Sequence, residues 1–305
     1  MGNIITAAQL PRMLEVGIKV KSLEAMNEEF KYSAANKLFT DQMTDRERID
    51  ALTTMTIGKH EKFTGSLSYD NVEQGHFGQF YNYEYCTGMA IQQKFIRTNQ
   101  YKQMWPRMSM ELGLSYARTV EDESMKVFRN ANNTTTVTLP DGQALSSTAH
   151  PSAYDSSDTQ SNQTTSALSR TVLETIAIAG SRWKTPKNEV LGARFDTILI
   201  PPDLQFTMER INNTTLGGTS GGSNLDVNVQ KGRWNIIVSD YLTDTNNYFV
   251  IDSGRMRMNL YRNWVAKQEI NAVEDFDTFA AKWSSYCFFG LEVDDWTWIY
   301  CGIVS

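Results

Sequence analysis

Between Trp105 and Val120 the apolar side chains Trp105, Met108, Leu112, Tyr116 and Val120 return every three or four residues, which predicts a helix over 105–130 with one apolar stripe. Pro106 marks its start or a kink, and Asn130-Ala131-Asn132-Asn133 ends it. A different period precedes it. Tyr81, Tyr83 and Tyr85 alternate with polar residues and run into Ala90-Ile91 and Phe95-Ile96, so 59–98 reads as a long β-hairpin. Turn chemistry at Gly65-Ser66-Leu67-Ser68 and Gly75-His76-Phe77-Gly78 supplies its tip. Residues 1–54 hold only short amphipathic patches, among them a capping-box pattern at Thr44-Asp45-Arg46-Glu47, and are expected to form an arm lying on another surface.

Beyond the long helix, 132–168 is rich in Asn, Thr, Ser and Asp. A helix is expected over about 167–179 and a buried strand over 195–200, then a helix over 203–211 entered through Pro202. Strands follow at 234–239 and 248–252, and the section from Lys267 is expected to hold strands and a short helix. The ending Trp296-Thr297-Trp298-Ile299-Tyr300 is too apolar to stand free and should pair within a sheet. The whole is an α+β pattern.

Composition narrows the function. A chain of 305 residues, 41% hydrophobic and 21% charged, can bury a sizeable core. Its net charge of −6 and absence of long Lys/Arg runs argue against a nucleic-acid grip through phosphates. Cys86, Cys287 and Cys301 fit neither a disulfide framework nor a zinc spacing, and a reduced compartment is the simplest reading. Neither a signal peptide nor a membrane span is expected. The opening MGNIIT matches a myristoylation pattern, and sequons occur at Asn132, Asn133, Asn162, Asn212 and Asn213. Both are short patterns that arise readily by chance.

Chemistry has few places to sit. Asp141, Ser146, Ser147 and His150 gather the residue types of a Ser–His hydrolase, but without the sharp supported turn that presents a nucleophile. They read as a polar loop. The stretch 217–222 has glycines without the lysine of a phosphate loop, and His60, His76 and His150 are scattered. The acidic run Glu121-Asp122-Glu123 reads as a solvated helix face. No catalytic residue, cofactor or metal is expected. Assembly remains: Trp, Tyr and Met are plentiful enough to anchor large interfaces between copies.

The order of segments resembles the major capsid proteins of tailed bacteriophages, the Hong Kong ninety-seven fold, and within it the Mu-type major head subunit branch. The resemblance rests on Asp141-Gly142-Gln143-Ala144-Leu145-Ser146-Ser147-Thr148-Ala149-His150-Pro151 and Thr159-Gln160-Ser161-Asn162 with the helix after it. Ile198-Leu199-Ile200-Pro201-Pro202-Asp203-Leu204 and Asn246-Asn247-Tyr248-Phe249-Val250-Ile251-Asp252 continue it. It covers about residues 30–305.

The resemblance implies an N-terminal arm at 1–54, an extended loop at 55–90, and a peripheral domain with its spine helix at 91–140. It further implies an axial domain at 141–262, with a 213–230 loop near the capsomer centre, and peripheral C-terminal strands at 263–305. Gly65, Gly75 and Gly78 would be flex points of the extended loop. Some relatives crosslink through a lysine there; Lys59 and Lys62 lie near the place, and the crosslink is not carried over. The short arm is expected to carry no large fused scaffolding segment.

The implied partners are copies of the chain in hexamers and pentamers, portal, scaffolding and decoration proteins, and packaged DNA held without sequence-specific contact. No membrane partner is implied. The location is the virion, with assembly in the host bacterial cytoplasm. Two alternatives stand beside this reading: an encapsulin-like compartment built around a cargo enzyme, and a hydrolase using Ser147 and His150.

Overall fold

The computed structural model describes residues 10–53, 60, 62, 63, 65, 69, 75–92, 94, 95, 98, 100–217, 226–275 and 279–304. Six helices and fifteen strands are found among them: α1 (Leu10–Phe30), α2 (Ala35–Leu38), β1 (Thr40–Met43), β2 (Arg48–Leu52), β3 (Phe77–Tyr81), β4 (Tyr83–Gln92) and α3 (Tyr101–Arg129). The short strands β5 (His150–Pro151), β6 (Thr159–Gln160) and β7 (Gln163–Thr164) precede α4 (Arg170–Ser181), β8 (Thr197–Ile200) and α5 (Pro202–Asn213). Then follow β9 (Leu216–Gly217), β10 (Asp226–Val227), β11 (Asn235–Val238), β12 (Tyr248–Ile251) and α6 (Ser253–Met256). The long strands β13 (Leu260–Asp275) and β14 (Ala280–Val293) lead to β15 (Ile299–Gly302).

Two sheets carry the architecture. One has four strands in the order β1-β13-β14-β4, and the other five in the order β11-β8-β12-β15-β7. In the second, β8, β12 and β15 are buried at every position. That burial on both faces explains why Thr197-Ile198-Leu199-Ile200 and Tyr248-Phe249-Val250-Ile251 are runs rather than alternations. The expected strands at 195–200, 234–239 and 248–252 and the helices at 167–179 and 203–211 are present within a few residues of their expected ends. Ser169 caps α4 by accepting from the Val172 amide, and Pro202 opens α5.

The 29-residue α3 spans about 43 Å at 1.5 Å per residue and touches both sheets. Its middle turns set Leu112, Tyr116 and Val120 against the four-stranded sheet. Its last turns put Met125 and Phe128 into the core of the five-stranded one, where Phe128 meets Phe249 and Trp298 edge-on. The helix begins at Tyr101, so Pro106 lies inside it rather than at its start.

Several expectations for the first hundred residues are corrected. The patches before residue 31 join into the single 21-residue α1, which packs along α3 of the same chain. Close approach explains how: a side chain at Gly113 would meet the Ser22 carbonyl oxygen at 2.1 Å. Small residues at 109, 113 and 117 leave α1 a groove to lie in. No helix forms at Thr44-Asp45-Arg46-Glu47; Thr44 Oγ1 accepts from the Arg46 amide in a turn instead.

Among the described residues of the expected 59–98 hairpin, the two strands do not pair with each other. Asn82 splits it, with its side chain donating to the Arg46 carbonyl. Before the split, β3 pairs antiparallel with β2; after it, β4 pairs with β14. Residues 54–59, 61, 64, 66–68, 70–74, 93, 96, 97 and 99 lie outside the description, including Lys59 and most of the expected hairpin tip. So do 1–9, with the MGNIIT pattern, 218–225, and the short stretch between β13 and β14. The C-terminal section is strands; no helix follows α6 among the described residues. Its last strand pairs with β12 and β7 in the five-stranded sheet, away from β13 and β14.

Candidate functional site

Two features compete for the role of functional site: the polar cluster around His150 and the aromatic ribbon made by β2 and β3. Asp141 and His150 do meet. Asp141 Oδ2 lies 2.7 Å from His150 Nδ1, and the imidazole is 1% exposed and stacked on Trp296 at 4.5 Å. The position that a nucleophilic serine would occupy belongs to Asn162, whose Oδ1 is 3.1 Å from His150 Nε2. Backbone groups fix that amide: Nδ2 donates to the Leu145 carbonyl at 2.7 Å, while Oδ1 accepts from the Ser147 amide at 2.9 Å.

Both imidazole nitrogens are thus engaged, and neither serine reaches them. Ser147 Oγ accepts from the Ala149 amide, and Ser146 is buried beside Cys301. The cluster knots the 141–162 loop to the end of the five-stranded sheet, since the Cys301 amide also donates to the Asn162 carbonyl. Asp295 stands behind it, its carboxyl raised by burial against hydrogen bonds from Thr297 and the Trp296 amide. Asn162 is fully buried, which removes its sequon from the surface.

The other chemical candidates also resolve into structure. Burial pushes the Cys287 and Cys301 thiols up to about 12, so neither supplies a thiolate near neutral pH; all three cysteines are free. Glu121 is buried rather than solvated: it accepts from the amides of Ala34 and Ala35 and from Ser33, fastening the α1–α2 junction to α3. Asp122 pairs with Arg129 at 2.7 Å and Glu123 with Lys126 at 2.5 Å. His60 is exposed, and His76 Nε2 lies 3.3 Å from the Pro151 carbonyl. No group of metal-ligating side chains forms among the described residues. The glycine-rich stretch departs from a two-residue ladder in which β9 and β10 pair.

The ribbon is built differently. On its inner face Phe80 is buried and Gly78 lies against Pro140, where an added side chain would meet Cγ at 2.9 Å. Gly75 is equally confined: a side chain there would meet Thr53 Oγ1 at 2.4 Å. Both glycines are needed for close approach, and Gly65 has φ +109°, a conformation that favours glycine. On the outer face the cross-strand pairs Leu52–Phe77 and Arg48–Tyr81 stand in the open, and Tyr83 follows at the head of β4. Leu52, Phe77, Tyr81 and Tyr83 are between 46% and 60% exposed. A ribbon fixed on one face and apolar on the other has the makings of an interface.

A family model described as phage capsid protein matches residues 88–302, the greater part of the chain. The chain belongs to the phage capsid protein family. No curated protein matches the capsid protein. Solved structures share its fold. That of Mycobacterium phage Patience is 13% identical, with a TM-score of 0.55 over 100% of this chain and 90% of the other. The capsid of bacteriophage JBD30 decorated with minor capsid protein trimers is 11% identical, with a TM-score of 0.55 over 69% of this capsid protein and 91% of its counterpart. The virus-like particle from Pyrococcus furiosus is 10% identical, with a TM-score of 0.53, covering 93% and 96% of the two chains. The capsid protein is therefore a structural subunit of a virion shell.

Proposed function

We propose that this chain is the major head subunit of a tailed bacteriophage, of the Mu-type branch, and that many copies close into an icosahedral shell around double-stranded DNA. The observation that carries the reading is the ribbon: its inner face is anchored by Phe80 and Gly78, and its outer face holds Leu52, Phe77 and Tyr81 in the open. Neighbouring copies in hexamers and pentamers cover that face. The domains follow as arm 1–54, extended loop 55–90, peripheral domain 91–140 continued by 263–305, and axial domain 141–262, with β15 returning to the axial sheet. Portal and scaffolding proteins act during assembly in the host cytoplasm, decoration proteins bind outside, and DNA is enclosed without sequence-specific contact. The chain performs no catalysis.

One face cannot suit every position of a closed lattice without some give, so flexibility belongs to the extended loop while the packed sheets move as rigid pieces. The test is electron microscopy of the purified protein. Closed shells of uniform size, with DNA in particles from infected cells, are expected. Shells filled by a co-purified enzyme would assign the chain to a compartment instead, and a monodisperse monomer would overturn both.

A further inference from the structure

Beside the Arg262–Trp264 segment of β13 lies a cavity of about 500 Å³, walled by α1, α2, β1 and α3. Its floor is unusual for an interior. The Arg262 side chain is nearly fully buried, with Nε donating to Asp41 Oδ1 and Nη2 to Asn36 Oδ1, both at 2.7 Å. Nη1 is buried without a partner among the described residues, and so is the Trp264 indole N–H. Leaving a buried guanidinium donor unmet costs more than leaving a neutral one, so such groups are normally matched.

Charge points the same way. Arg262 lies over the Trp264 ring at 5.2 Å and Lys267 over it at 6.0 Å, while among the described residues Asp41 is the one acidic side chain lining the cavity. Two cations against one carboxylate leave the site positive within a protein of net charge −6. The strand is also shaped here: its register against β14 shifts between Trp264 and Ala266 and again between Ala266 and Glu269, a bulge that turns Lys267 and Gln268 into the lining. Leu23, Met26 and Phe30 of α1 supply an apolar wall.

We propose that this cavity binds a carboxylate, presented by an acidic side chain of a neighbouring copy of the chain. The inference rests on the shell reading, because a shell sets copies side by side and each copy brings 35 acidic residues. A carboxylate accepts strongly from guanidinium and ammonium donors of the kind that Arg262 and Lys267 bring to this cavity. The site thereby joins two copies through the positive charge that Asp41 alone leaves uncancelled.

The test is zero-length carbodiimide crosslinking of assembled shells made from equal parts of ordinary and nitrogen-15-labelled subunit, followed by mass spectrometry. The reagent activates a carboxyl group, the Lys267 amine attacks it, and an amide forms as the reagent leaves as its urea. Mixed-label peptides joining Lys267 to an acidic residue of another copy are expected. Links from Lys267 to Asp41 of the same chain alone, or none, would overturn the site while leaving the shells themselves intact, including the case in which nucleic-acid phosphate fills it. Lys267→Glu provides a second reading, since the Lys267 side chain is 59% exposed. It should lower shell yield several-fold with subunit stability unchanged; unchanged yield would contradict the proposal.

Discussion

Strands β12 and β3 are nearly equal in length, yet every side chain of Tyr248–Ile251 is buried whereas Phe77, Gln79 and Tyr81 of β3 face outward. Strand β12 sits between β8 and β15 in a sheet whose core also takes in Phe128 and Trp298. Among the described residues β3 has one partner, β2, and its covered face rests on Pro140. The first region finishes its own burial, and the second stops half-way. In the proposed shell this difference would divide labour: one part is a packed block and the other is left for a neighbour to cover.

Breaking the closed side should cost the most. Trp298 is fully buried, and its indole N–H donates to the Asp295 carbonyl at 2.7 Å. Trp298→Ala is expected to lower the unfolding free energy of the soluble subunit by about 4 kcal/mol, measured by denaturant titration. A loss below about 1 kcal/mol would mean that this core is not where the stability lies.

Next comes the polar knot. His150→Ala leaves Asp141 buried without its partner and should cost about 3 kcal/mol, whereas Ser147→Ala should stay within about 0.5 kcal/mol. Equal effects, or a hydrolytic activity lost in both variants, would restore the hydrolase alternative.

A smaller effect sits where β14 leaves the four-stranded sheet. Burial, with Glu292 beside it, raises the Asp294 carboxyl to about 7. The folded chain then keeps a proton that the unfolded chain has released, so stability falls as pH rises from about 4 to about 7. Asp294→Asn should flatten that slope, gaining more over the parent at about pH 8 than at about pH 5 in thermal melts. A gain independent of pH would show that Asp294 does not titrate in this range.

The smallest effect on the subunit is the most telling. Leu52→Ser with Phe77→Ser should change its unfolding free energy by no more than about 0.5 kcal/mol, because both side chains are about half exposed. Shell yield by sedimentation should nevertheless collapse. Parallel losses of stability and yield would place the ribbon in the folding core instead.

Much of the closed region was legible in the sequence, because a 3.6-residue stripe such as Leu112, Tyr116 and Val120, or a run such as Tyr248-Phe249-Val250-Ile251, reports burial directly. The open region was not. Nothing local tells β4 that its partner is β14, some two hundred residues on, or β3 that its partner is β2. Alternating tyrosines specify a strand but not its neighbour, so a self-paired hairpin was the natural expectation. Likewise α1 escaped notice because its helical contact is made through the absence of side chains, Gly17 against Trp105 and Gly113 against Ser22. At the polar cluster Asp141 and His150 were visible only as two of four polar residues in a loop, and their pairing was not. Asn162 took the third position through hydrogen bonds to Leu145 and Ser147, which only the folded loop brings within reach.

Hydrogen exchange on the free subunit and on assembled shells tests the division most directly, read at the amides of 48–52 and 77–85 against those of 248–251. Assembly should slow exchange strongly in the first two segments and leave β12, already protected, unchanged. Equal protection of the ribbon in both states would contradict the account, since its open face would then need no neighbour.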